Sequence, residues 1–118
     1  MSIYLKRVYE QPKRGDGYRV LVDGLWPRGV NRETAKIDLW LKEIAPSGEL
    51  RKWFDHDPKK WSQFKTRYFR ELNKNSETVA GLAKKAENRR VTLLFAARDI
   101  EHNNAVALRV YLEREFGL

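Results

Sequence analysis

The chain has 118 residues, room for one domain and no second. With 42% hydrophobic, 34% charged and 12% aromatic residues it is too apolar for intrinsic disorder, and a chain of this length buries a core without metal or disulfide staples. The absence of cysteine excludes disulfides, thiolate nucleophiles, zinc–thiolate sites and iron–sulfur clusters together, while 24 Lys+Arg against 16 Asp+Glu leave a charge of +8 that attracts anions. The basic excess is spread evenly, with no basic tail. No apolar run approaches the ~18 residues of a membrane span, and the amino terminus has no signal-peptide pattern. The expectation is a soluble cytoplasmic domain.

Residues 2–9 alternate, with Ile3 and Leu5 on one face and Tyr4, Lys6 and Val8 on the other, which predicts a strand. Residues 11–17 carry Pro12, Gly15 and Gly17 and read as a turn. Residues 18–23 contain the buried-strand run Val20-Leu21-Val22, stopped at Gly24. Residues 37–44 suit either period, and the strand reading is preferred. Ser47 is expected to cap a short helix carrying Leu50, Trp53 and Phe54. Asp57-Pro58 opens a longer helix, with Trp61, Phe64, Tyr68 and Leu72 in one stripe and Lys59, Lys60, Gln63, Arg67, Arg70 and Lys74 opposite. Ser76 is expected to cap the next helix, which turns Val79, Leu82, Ala83 and Ala86 inward and ends near Asn88. Residues 91–97 are apolar on both faces, as in a strand covered on both sides. A last helix runs from about Asn104 to Phe116. Strands alternating with helices predict an α/β fold: a single small domain, residues 1–118, with a largely parallel sheet of about four strands flanked by helices.

The run Val20-Leu21-Val22-Asp23-Gly24-Leu25-Trp26-Pro27-Arg28-Gly29 resembles the YeaO-like family, a branch of the domain of unknown function numbered 488. Ala45-Pro46-Ser47 with Leu50-Arg51, His56-Asp57-Pro58 with Trp61 and Phe64, and Tyr68 with Glu71-Leu72 continue the likeness, and Thr92 to Asp99 with Asn103 and Ala105 completes it. The resemblance implies an α/β domain over nearly the whole chain and no particular activity. Relatives usually carry an arginine where this chain has Gly24. More distant members carry a Cys-His-Arg run, which falls here on Asn103, Asn104 and Ala105, so their thiol chemistry does not carry over.

In open α/β sheets ligands bind beyond the carboxyl ends of the strands. Three polar clusters fall at such ends: Asp23, Trp26 and Arg28; Ser47 and Arg51; and Arg98, Asp99, His102 and Asn103. Arginines, amides and helix amino termini together suit a small anion such as phosphate, a carboxylate or a nucleotide, with hydrolysis or group transfer as a further option. Asp23 or Asp99 is then the candidate catalytic carboxylate. Each residue also has a structural reading: a rigid turn at Trp26-Pro27-Arg28-Gly29, a helix cap at Asn103, an arginine partner at Asp23, and the cap of the long helix at Asp55-His56-Asp57. His56 and His102 lack metal-ligand spacing, and no phosphate-loop, dinucleotide or nucleophile-elbow motif is present, so neither a metal nor a cofactor is expected. The alternatives are a protein-interaction module, or nonspecific nucleic-acid binding through Lys59, Lys60, Arg67, Arg70 and Lys74 on helix 58–74, although aromatics do not interleave with those cations.

Overall fold

A computed structural model describes residues 3–118. Four strands, β1 (Ile3–Arg7), β2 (Tyr18–Leu21), β3 (Leu39–Trp40) and β4 (Val91–Phe95), form one sheet in the order β1-β4-β2-β3. Every pairing is parallel, with Leu5 opposite Leu93, Val20 opposite Leu93, and Leu21 opposite Trp40. Strand β4 is central and all five of its residues are buried, as its two-sided apolar pattern requires. The strand expected over residues 2–9 is described from Ile3; Ser2 lies outside the described residues.

The two faces of the sheet are covered differently. Helices α1 (Gly48–Phe54), α2 (Trp61–Asn73), α3 (Ser76–Asn88) and α4 (Asn104–Phe116) all contribute to one large core, with Val20, Val91, Leu93 and Phe95 from the strands and Val22 just after β2. The opposite face holds a smaller core of Val8, Leu21, Ile37 and Leu94, closed by Trp26, Val30 and Ala35 of the segment 22–38. That segment is irregular, so a loop rather than a helix roofs this side. Arg19 anchors it: its guanidinium, 3% exposed, pairs with Asp16 at 2.7 Å and donates to the carbonyl of Ala35 at 2.8 Å. A cation this buried is tolerable only with such partners.

Local chemistry sets most boundaries. The Ser47 hydroxyl accepts the Leu50 N–H and starts α1. The Asp57 carboxylate accepts from Lys59 N, and Pro58–Lys60 form a 3-10 turn before α2 proper, whose buried stripe is Phe64, Tyr68 and Leu72. Two expectations need correction. Of residues 37–44, only Leu39–Trp40 is strand; Lys42–Ile44 is a 3-10 turn, because the chain must leave the sheet edge and climb to α1. Ser76 is the first residue of α3 and not its cap. Asn75 holds the cap position, and its side chain is turned away to the carbonyl of Glu43. The link between α2 and α3 is only Lys74 and Asn75, closed by the bond from Asn75 N to Leu72 O, which leaves no extended residue for a serine cap. Gly17, at φ 68°, is a required glycine, since a Cβ there would stand 2.5 Å from the carbonyl oxygen of Arg90.

Candidate functional site

Because the strands are parallel, their carboxyl ends share one rim, and a cleft of about 920 Å³ opens there. Asp23, Trp26 and Arg28 enter it after β2, Arg51 from α1, and Arg98, Asp99, His102 and Asn103 from the link between β4 and α4. Eight of the nine candidate ligand-binding residues therefore line one space. Ser47 does not. Its hydroxyl and amide are bound to the Glu71 carboxylate at 2.7 and 2.8 Å, in a separate depression of about 270 Å³ beside Tyr68. Tyr9, Lys52 and His56 also line the cleft. The sequence did not single them out as ligand contacts: the turns after β1 and α1 bring Tyr9 and His56 there, and Lys52 arrives on α1 beside Arg51. The turn after α1 is unusual: Asp55 and His56 are consecutive left-handed residues, at φ 47° and 55°. Non-glycine residues adopt this region at a cost of ~1–2 kcal/mol each.

The floor of the cleft is a hydrogen-bonded junction. One carboxylate oxygen of Asp23 accepts the Ala96 N–H at 2.9 Å, and the other accepts from Asn104 Nδ2 at 3.1 Å. Asn104 Nδ2 also donates to the carbonyl of Val22, and Trp40 Nε1 donates to the carbonyl of Asp23. The end of β2 is thereby tied to β3, β4 and α4 at once. Burial pushes the Asp23 carboxyl above its ordinary value, opposed by these two hydrogen bonds and by the charge of His56. Both oxygens of Asp23 are engaged, which suits a scaffold as much as a proton acceptor.

At the third strand end, one Asp99 oxygen accepts the N–H groups of Glu101 and His102, and the other meets His102 Nδ1 at 2.9 Å. The Glu101 N–H and the His102 side chain hold the Asp99 carboxyl below its ordinary value. This contact leaves Nε2 as the free ring nitrogen of His102, whose ring packs edge-on against Trp61. The Asn103 side chain accepts from Val106 N and caps α4 while donating to the carbonyl of Asp99. Helical geometry leaves the N–H groups of Asn104 and Ala105 without partners inside α4, so its positive end faces this rim. Arg28, Arg51 and Arg98 make no side-chain hydrogen bond or ion pair among the described residues. No group of three or more ligating side chains positioned for a metal occurs among the described residues.

On the alternative surface, Lys60 Nζ is committed to the carbonyl of Trp53 at 2.7 Å, and Arg67 lies 4.0 Å over the Trp53 ring. Only Lys59, Arg70 and Lys74 of that basic face remain without such contacts. No helix among the described residues is long and apolar enough to cross a membrane.

A family model described as the inactive DUF488-N3 subclade, DUF488-N3i, matches residues 2–117. The chain belongs to this family. The chain is similar to the uncharacterised protein YeaO of Escherichia coli (strain K12), 40% identical over 112 residues that cover 95% of this chain and 97% of YeaO. The uncharacterised protein Rv3073c of Mycobacterium tuberculosis (strain H37Rv) is 38% identical over 106 residues, covering 90% of this chain and 89% of that one. No solved structure matches. The YeaO-like likeness of the motifs thus holds over the full domain, and with it the expected α/β fold. Gly24 of this DUF488-N3i chain lines the cleft, and a Cβ there would meet only Ala45 at an ordinary 3.5 Å. The position therefore has room for a side chain.

Proposed function

We propose that the cleft binds a small anionic ligand, a phosphate or a phosphate-bearing nucleoside, and holds it without covalent chemistry. The observation that carries this reading is the convergence of Arg28, Arg51 and Arg98 on one cleft, each from a different strand-end segment and each lacking an acidic partner. Asp23, Asp55 and Asp99 share the space, but Asp23 and Asp99 already spend their acceptor oxygens on Ala96, Asn104 and His102, and Lys52 adds a fourth cation to the three arginines. Guanidinium groups suit phosphate and carboxylate geometry, and the positive end of α4 adds to the same field. A volume of about 920 Å³ lies within the range of small-ligand sites and admits more than an inorganic ion. Trp26, Phe54 and Phe64 supply apolar lining for the remainder. The family description, inactive, favours binding over turnover.

The test is a nitrogen–proton correlation spectrum titrated with phosphate, with mononucleotides and with a dicarboxylate. Trp26 and Trp40 are built-in reporters, since their indole N–H groups bond to Val30 O and Asp23 O at the strand ends. A saturable shift of these two signals that survives moderate salt, and is lost in Arg51→Gln and Arg98→Gln, supports the reading. Unmoved indole signals with all three ligands refute it.

A further inference from the structure

We propose that the opposite rim of the sheet, at the amino ends of the strands, is a binding surface for single-stranded nucleic acid. Cations and aromatics also meet along helix 58–74, contrary to expectation, where Lys60 and Arg67 cover Trp53 and Lys65 covers Trp61, but those two rings are half-buried, whereas here the Tyr4 ring is exposed. The Arg90 guanidinium lies 4.4 Å over the Tyr4 ring, while Arg89 and Lys85 lie 4.6 and 5.2 Å over Tyr18. Tyr4 is 41% exposed, and all three cations are exposed. Arg90 Nη1 donates to the carbonyl of Gly15 at 2.9 Å, and Tyr18 N to the carbonyl of Arg90. The turn Arg14–Asp16, with exposed Lys13 and Arg14, is thereby held beside the tyrosines.

The acids on this rim do not cancel its charge. Asp16 is consumed by Lys6 at 3.0 Å and Arg19 at 2.7 Å. Asp38, before β3, and Glu87 remain without ion pairs, but Lys84, Lys85, Arg89 and Arg90 stand against Glu87 alone within the stretch 84–90. Lys13, Arg14, Lys85, Arg89 and Arg90 make no ion pair among the described residues. Five cations without ion pairs, beside exposed Tyr4 and half-buried Tyr18, match a strand whose phosphates meet the charges and whose bases stack on the ring and guanidinium planes. Duplexes bury their bases and cannot use the rings. An anionic membrane or an acidic peptide would use the charge alone.

The experiment is fluorescence anisotropy of a labelled 12-nucleotide single strand across a salt series, with the duplex, heparin and phosphatidylserine vesicles as competitors. Five phosphate contacts predict a slope of log K against log salt near about −3.5 for a single strand. Lys13→Gln with Arg14→Gln, which removes no side-chain hydrogen bond, should lower affinity about 25-fold at 0.1 M salt and shift the slope to about −2. Tyr4→Leu should weaken the single strand about 5- to 150-fold while leaving heparin binding unchanged. Melting curves confirm that each variant folds. The proposal is overturned by any of three results: no binding of the single strand at 50 mM salt, competition by heparin or vesicles with no effect of Tyr4→Leu, or loss of binding in Lys59→Gln/Arg70→Gln/Lys74→Gln instead. Arg51→Gln and Arg98→Gln should leave this binding intact, which separates it from the cleft.

Discussion

Replacing Tyr68 by Phe removes a single oxygen atom from the core of this domain, and its cost can be worked from one contact. The Tyr68 side chain is fully buried, and its hydroxyl donates to the carbonyl of Ile44 at 2.7 Å. Burial pushes the phenol well above its ordinary value, so it remains a donor at every accessible pH. The ring of Phe fills the same space, so no cavity term enters. What is lost is the partner of a buried carbonyl, which costs about 1–3 kcal/mol. An unfolding entropy of about 0.25 kcal/mol/K for a chain of this length converts that to a fall in Tm of about 4–12 °C. Thermal unfolding followed by circular dichroism measures it, and urea titration should show a lower midpoint at unchanged m. The consequence extends to the cleft, because Ile44 leads directly into Ala45 and Pro46, and Pro46 lines it. A fall smaller than about 2 °C would refute the reasoning, showing that the Ile44 carbonyl finds another partner and that α2 does not pin this link.

Three further outcomes are expected. Asp23 has a raised folded value through burial, so wild-type stability relative to Asp23→Asn should decline as pH climbs from about 3.9 through that folded value; paired urea titrations from pH 3 to 8 check it, and a flat difference contradicts it. Asp16 and Asp99, with lowered values, contribute with the opposite sign, but they are common to both proteins and cancel in the comparison. His56→Gly should raise stability by about 0.5–1 kcal/mol, the relief of a left-handed residue less the added chain entropy of glycine, while weakening the anion titration if His56 meets the ligand; calorimetry and the Trp26 signal read the two effects separately. Gly24→Arg should fold normally and tighten phosphate about 10- to 150-fold, the worth of one more charge-assisted contact of about 1.5–3 kcal/mol, as read by isothermal titration.

Much of the fold was legible in the residues. Helix α4 runs from Asn104 to Phe116 because Asn103 is a strong capping residue and Gly117 takes the left-handed exit at φ 68°. Strand β4 announced itself by the seven residues 91–97, apolar on both faces, of which Val91–Phe95 are strand, and α2 by an aromatic stripe at helical spacing. Residues 37–44 were not legible, because two periods fitted and only the edge position of β3, two residues long, decided between them. Serine at position 76 looked like a cap for the same reason that Ser47 is one. The difference lies in the two-residue link from α2, a tertiary fact.

The candidate site divides in the same way. Residue type and strand-end position named Asp23, Trp26, Arg28, Arg51 and the Arg98–Asn103 cluster, since those depend on where local elements stop. Ser47 has the same local credentials, yet Glu71, 24 positions away, draws it into a separate depression. Tyr9 and His56 reach the cleft only through turns whose direction no local pattern encodes, and Lys52 through the placement of α1. Outside residues 37–44 and the start of α3, the sequence alone determined the elements, their caps and the apolar faces, because these follow from interactions within a few residues. The parallel order β1-β4-β2-β3, the loop that roofs one face through Arg19, and the gathering of three strand ends into one cleft were decided by packing between residues far apart in the chain.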